Sequence, residues 1–281
     1  MSAKENTMLN VLVLTDFSNA AYHAARYTCH LSRSIPVKRI ILFHAYQSVA
    51  PVVLSTVANN ASKEELDREY TDMLLDMANQ LEPESHEDTA IDLLTEDVQL
   101  DEVLNEICQR EHIDLVVMGI GSDTQASERS SNAILVPEKA SCPVLVVPES
   151  AEIQNIKHVV FATDLRELES PAYNQITKWL DLFQSKLDVL NVDEEEKEFG
   201  AESFFEIKEL HNWLDKYKPE YHYSNSKEEG NAIVNFARNH KASLILSLPR
   251  VRSFFSNLFH HSITKEITYH SDIPLLFLHE A

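Results

Sequence analysis

Glycine is scarce in this sequence, with 4 in 281 residues. Glycine reaches positive φ without strain and lets the main chain come close to a phosphate, so few loops here can be built that way. Cysteine is rarer still: Cys29, Cys108 and Cys142 stand far apart in sequence at no metal-ligand spacing and read as reduced, packed thiols. A catalytic cysteine would need a positive, exposed surrounding. Positive charge is itself in short supply, 24 Lys and Arg against 45 Asp and Glu, a formal net charge of −21. That balance opposes binding to nucleic acid or to an anionic membrane, and neither is expected as a partner. No apolar run approaches the roughly 18 residues of a membrane span. The opening MSAKENTMLN has no apolar core of the signal-peptide kind, so the expected location is cytoplasmic.

The length suits two domains, each able to bury its own core. The most informative stretch is 114–148. Residues 114–118 (DLVVM) are nearly all apolar, the pattern of a strand covered on both faces of a parallel sheet, and Gly119 and Gly121 are expected to end it. A polar loop then leads to Ser130 and to Ser131, a candidate N-cap for a helix running to about Ala140. Residues 144–147 form the next apolar strand, bracketed by Pro143 and Pro148. A strand, a glycine turn and a helix N-terminus place N–H groups where an anion could sit; the plainer reading is an ordinary strand-to-helix connection.

Before this stretch, strands are expected at 10–15, 38–45 and 89–94. Ser18 caps a first helix with Ala21, Ala24, Ala25 and Leu31 on one face. A second helix opens with a Ser62/Glu65 capping box and carries Leu66, Tyr70, Met73, Leu74, Met77 and Leu81. The long connection 46–61, with Pro51, Val52, Val53 and Leu54, reads as a flap or contact surface. A third helix spans about 100–111.

The pattern then repeats. Residues 159–164 (VVFATD) match 11–16 (VLVLTD), each strand ending in Thr-Asp. Ser170 and Pro171 open a helix with Ile176, Trp179, Leu180 and Phe183 inward, and 187–192 is the next strand. The acidic run 193–198 reads as a solvated linker. Residues 204–217 are helical, with Ile207, Leu210 and Leu214 inward, and 221–223 are a short third strand. Ile233 and Phe236 repeat Leu104 and Ile107, 243–248 repeats 114–119, and the Ser262–Pro274 spacing equals that of Ser131–Pro143. The domains are therefore 1–150 and 151–281, joined near 149–155. Alternating strands and helices imply an α/β fold of two doubly wound parallel five-stranded sheets flanked by helices. Ligands in such sheets bind beyond the carboxyl ends of the strands where the order reverses, which would place Asp16 beside Gly119. The last strands, 144–147 and 275–278, would be apolar edges. Pairing them within the chain is the expected solution, a homodimer the other arrangement.

These residues resemble the universal stress protein family in a tandem, two-copy form. The resemblance is carried by Leu14-Thr15-Asp16, by 114–119, by Ser131-Asn132 and by 142–147, then by Ala162-Thr163-Asp164 and by Ser262 through Ile273-Pro274. Arg252-Ser253-Phe254-Phe255 with Leu258-Phe259-His260 is similar to tandem members of Bacteroidetes type. The resemblance implies a Rossmann-like sheet of the adenine-nucleotide α-hydrolase type. Nucleotide-binding members share a loop of Gly, two residues, Gly, nine residues, Gly and Ser or Thr that wraps ATP phosphates. By that resemblance Asp16 and Ala45 lie near adenine and ribose, Met118 and Gly119 start the loop and Ser131 meets phosphate, with Thr15, Gly121, Ser130 and Asn132 as further nucleotide-binding candidates. The sequence departs from the motif: Gly119 and Gly121 are one residue apart, the loop is about two residues short, and Ser130 replaces the last Gly. The second copy has Leu248-Pro249-Arg250 and no glycine there. ATP is thus a cofactor expectation for the first domain only.

In the second copy Arg250, Arg252, His260, His261, Lys265 and His270 form a positive island against Glu266, beside Ser262 and following Asp164. Two readings stay open, an anion site built from side chains and charge pairing with the acidic surface. Zinc on His260, His261 and His270 is a third. Asp16 and Asp164, at strand ends, lack a predicted base, nucleophile or metal motif beside them, so they read as turn formers or ligand contacts and no catalytic residue is assigned. The function expected is a non-enzymatic stress-response protein with degenerate ATP-binding loops, acting through protein contacts or a small ligand. The alternative is an ATP/AMP-binding sensor, or slow ATPase, using the first domain.

Overall fold

The computed structural model describes residues 8–47, 63–121, 135–163, 170–193, 201–248, 268 and 270–278, with main chain only at 170, 171, 193 and 201–207. The first half contains β1 (Leu9–Leu14), α1 (Asn19–Ser32), β2 (Val37–Tyr46), α2 (Lys63–Leu81), β3 (Ala90–Asp97), α3 (Leu100–Arg110), β4 (Leu115–Ile120), α4 (residues 135–139) and β5 (Val144–Pro148). The second contains β6 (His158–Ala162), α5 (Ser170–Phe183), β7 (Lys186–Asp193), α6 (Ala201–Leu214), β8 (Glu220–Asn225), α7 (Glu229–Asn239), β9 (Leu244–Ser247) and β10 (Leu275–Phe277). The two expected five-stranded parallel sheets are halves of one ten-stranded sheet, ordered β3-β2-β1-β4-β5-β10-β9-β6-β7-β8. The halves meet where β5 and β10 pair antiparallel, Leu145 opposite Leu276.

The apolar runs form strands because both faces are covered. On one face α1, α2, α5 and α6 bury Ala24, Leu74, Trp179 and Leu214; on the other α3, α4 and α7 bury Ile107, Val136 and Ile233. Strand residues alternate between these two cores, Val11 and Val13 in the first, Leu12 and Leu14 in the second. The inward stripe of α2 is narrower than expected. Leu74, Met77 and Leu81 are buried, whereas Met73 is exposed, being one position and about 100° of helix rotation from Leu74. Residues 149–157 are a packed connector: Ala151 and Ile156 are buried, and His23 and His30 of α1 bond the Ala151 carbonyl (2.8 Å) and Asn155 Oδ1 (2.9 Å).

All three cysteines are free and buried, as expected of packed thiols. Although distant in sequence, Cys108 and Cys142 are neighbours, with Sγ atoms 3.0 Å apart and both residues buried. Their shared hydrogen bond and burial raise the Cys142 thiol. Burial pushes Cys29 up to about 12. Among the described residues no helix is long and apolar enough to cross a membrane. The connection 46–61 and its capping box fall largely, and the acidic run 193–198 almost wholly, outside the described residues.

Because Leu145 and Leu276 oppose each other within one core, Leu145→Ala and Leu276→Ala should each cost about 2–5 kcal/mol in urea unfolding. The double variant should deviate from additivity by about 0.5–3 kcal/mol. Strict additivity would mean that the two side chains share no interaction energy across the seam.

Candidate functional site at the carboxyl ends of the strands

The strand order reverses between β1 and β4, since β1 has β2 on one side and β4 on the other. Leu14 pairs with Met118, which sets Thr15 level with Gly119 and Asp16 one step further out. The chain turns sharply here. Phe17 adopts φ 61°, Asp16 Oδ1 accepts the Ser18 N–H (3.0 Å), and Thr15 Oγ1 accepts the Phe17 N–H (3.0 Å) while lying 3.8 Å from Met77 Sδ. Ser18 Oγ then caps α1 by accepting the Ala21 N–H (3.2 Å). Asp16, expected as a turn former or ligand contact, forms the turn, and so does Thr15, expected only as a ligand contact.

His44 on β2 holds the same turn from the side. Its Nδ1 donates to the Thr15 carbonyl at 2.8 Å, and its ring packs against Phe17 and Tyr70, at centroid distances of 4.6 and 4.5 Å. Tyr46 joins Tyr70 at 4.8 Å and bonds Asp67 through its hydroxyl. Burial lowers the His44 pKa from its ordinary value, opposed by the bond to Thr15 and the charge of Asp16. The second half has the same bracket in another residue: Asn191 Nδ2 donates to the Thr163 carbonyl at 3.0 Å. The sequence reading missed both; His44 and Asn191 stand 29 and 28 residues after their threonines, and the strand register is what matches them.

The glycines work differently from expectation. Gly119 does not end β4 but lies inside it, opposite Val147, and neither it nor Gly121 has positive φ. A Cβ on Gly119 would fall 2.1 Å from the carbonyl oxygen of Ala20, so its bareness admits the first turn of α1 against the sheet. Gly121 is less confined, a Cβ there meeting Glu149 Oε2 at 3.4 Å. On the α3 face Met118 is buried, and Ala45, Val98, Leu100 and Ile120 are partly buried on the same core, an apolar floor towards the carboxyl ends of the strands. Ser130, Ser131 and Asn132 lie outside the described residues, as do Asp164, Arg250, Arg252, His260, His261, Ser262 and the lysine and glutamate of the same island. His270 is described, and its carbonyl accepts a hydrogen bond from Arg238 Nη2 (2.8 Å).

With this geometry in hand, residues 8–148 match the model of the universal stress protein family. The chain belongs to that family. No curated protein matches it in sequence. Among solved structures, a universal stress protein from Archaeoglobus fulgidus DSM 4304 is similar over 98% of both chains, at a TM-score of 0.68 and 12% identity. A functionally unknown protein from Pseudomonas aeruginosa PAO1 is similar over 98% of this chain and 94% of its own, at 0.60 and 12%. The cytoplasmic domain of a prokaryotic cation chloride cotransporter follows at 0.55 and 10%, over 98% and 96%. At these identities the likeness concerns the fold, an α/β sheet of universal stress protein type running through the whole chain.

Two outcomes follow. Gly119→Ala, harmless in most extended backbone, should here destabilise by about 1–3 kcal/mol in thermal or urea unfolding by driving α1 off the sheet. For His44 the folded pKa is depressed, so the unfolded chain takes up a proton first as pH falls below about 6.5, and stability drops over that window. His44→Asn, which adopts the residue of the second half, should keep the bracket and flatten the Tm profile between pH 7.5 and 5. A slope equal to wild type would remove His44 from this account.

Proposed function

We propose that this universal stress protein is a non-enzymatic, two-copy stress-response protein. It acts through protein contacts or a small ligand held beyond the carboxyl ends of β1 and β4. The observation that carries this reading is the commitment of Thr15, Asp16 and His44 to the strand-to-helix turn, where their polar atoms bond main chain. General acid–base or nucleophilic work asks for a group poised towards a substrate and a partner that activates it. The confinement of Gly119 by Ala20 supports the same view, because its missing side chain serves helix packing.

The second reading, an ATP- or AMP-binding sensor in the first half, draws support from the apolar floor of Ala45, Met118, Val98 and Ile120 at the point where the strand order reverses. Such a floor suits one face of a purine. One measurement separates the readings: the purified protein is denatured, released nucleotide is sought by mass spectrometry, and ATP and AMP are titrated calorimetrically. The expected result is no stoichiometric nucleotide and no phosphate release. Tight ATP binding that is lost in Asp16→Ala would establish the sensor instead. Gly119 variants cannot serve in this test, since they disturb α1.

A further inference from the structure

The sheet register aligns the two halves residue by residue. With Leu12 matched to Val160, Asn10 corresponds to His158, Arg39 to Lys186, Ile41 to Asp188, Asp92 to Glu220 and Leu94 to His222. The C-caps of α3 and α7, Glu111 and His240, correspond as well. These positions cluster at the amino ends of the strands, opposite the crevice described above. In the first half the interior of the cluster is apolar: Ile41 is 2% exposed, and Leu94 packs on the same core. Arg39 crosses its rim to Glu111 at 3.1 Å and to Asp92 at 3.5 Å. In the second half the isoleucine has become a carboxylate, Asp188, with 0% exposure, and the leucine an imidazole.

A carboxylate withdrawn from water inside a sheet is costly unless cations or donors surround it. Here imidazoles converge on it. His240 Nδ1 bonds Asp188 Oδ2 at 2.9 Å, His158 Nε2 lies 3.0 Å from the same oxygen, and His222 Nε2 lies 3.9 Å away. Among the described residues His158 Nε2, His222 Nε2 and Asp188 Oδ1 are buried yet make no hydrogen bond. Lys186 Nζ, 3.4 Å from Oδ1, is a half-exposed side chain also paired with Glu220 at 3.0 Å, so it can turn outward. The rings are held in place: Phe236 stacks on His240 at 3.8 Å and packs on His222 at 4.8 Å.

We propose that Asp188, His222 and His240 form a binding site for a divalent transition-metal ion of the zinc class, with His158 beside Asp188 as a fourth donor within reach. The three donor atoms lie within 4.8 Å of one another, a spread that small side-chain rotations reduce to that of a coordination sphere with bonds of about 2.0–2.2 Å. Imidazole nitrogens with one carboxylate oxygen select zinc, cobalt, nickel or copper over calcium and magnesium, which take oxygen ligands. His222 and His240 are about a quarter to a third exposed, which leaves an entry path. The site belongs to the second copy alone, since Ile41 and Leu94 offer the first copy no ligand at the matching positions.

The test uses the full, tag-free chain. Zinc should bind one equivalent at this site by calorimetry and raise Tm by several degrees, reversed by EDTA. Cobalt should give the visible bands of a low-coordinate nitrogen and oxygen site. His222→Ala and His240→Ala should each weaken zinc binding by roughly 100-fold or more, while the His260→Ala/His261→Ala control retains it. Asp188→Ile/His222→Leu, which installs the residues of the first copy, should fold without loss of stability and not bind metal there. Zinc should also protect His222 and His240 of the wild type from histidine-modifying reagents, a readout that needs no variant. The proposal is overturned if the wild type takes up neither zinc nor cobalt at 100-fold molar excess (roughly millimolar metal, where even a weak site fills). It is equally overturned if uptake persists in Asp188→Ile/His222→Leu, or if zinc leaves His222 and His240 unprotected.

Discussion

The antiparallel pairing of β5 with β10 is the constraint on which the rest of the sheet depends. Each half ends in a short apolar strand whose outer main-chain groups would otherwise be unpaired, a template for aggregation. Pairing the strands inside the chain satisfies those groups and makes each apolar core continuous across the seam. The register is self-matching. Leu145 meets Leu276, its counterpart in the repeat, while Val144 meets Phe277 and Val146 meets Leu275, the reciprocal pattern of a two-fold interface. The edges that remain, β3 and β8, carry Asp92, Glu96, Asp97 and Glu220, charges that discourage further strand addition.

Within this frame the two copies have diverged in helix packing. α1 turns small residues, Ala20, Ala21, Ala24 and Ala25, towards the sheet and approaches until Gly119 can carry no side chain. α5 instead turns larger residues, Ile176, Trp179 and Leu180, towards the same core. The position matching Gly119 is Leu248, which is buried. Bulk in the helix and bulk on the strand vary together, as close packing of an interior requires. The absence of glycine from the second copy at this point is therefore a matter of packing before it is one of ligand binding.

Polar groups have diverged at both ends of the strands. At the carboxyl ends the change is conservative, with His44 and Asn191 making the same bond to a threonine carbonyl. At the amino ends the change is larger: the arginine that reaches a glutamate cap in one copy is matched by Lys186 in the other, and Ile41 by a buried aspartate that receives a histidine cap. The buried Asp188 titrates below its ordinary value. Burial pushes it up, but the bond from His240 and the charges of His158 and Lys186 outweigh that effect.

The order of elements, the repeat, the helix cap at Ser18 and the buried faces of α1 and α5 were legible in the sequence. They rest on local periodicity and capping chemistry, which neighbouring residues carry by themselves. The sites were less legible. Thr15 and Asp16 could be placed at a strand end, but their bonds to Phe17, Ser18 and His44 depend on a turn and on a neighbouring strand. The role of Gly119 was misread because its reason lies in Ala20, about a hundred residues earlier. Asp188, His222 and His240 sit in separate elements at no recognisable spacing, so only the register of β6, β7 and β8 and the end of α7 bring them together. The sequence alone determined which segments are strands and helices and that the unit occurs twice, since burial on both faces writes itself into apolar runs. The tertiary structure decided which distant side chains share a space, because strand register and helix approach are set by packing across the whole sheet.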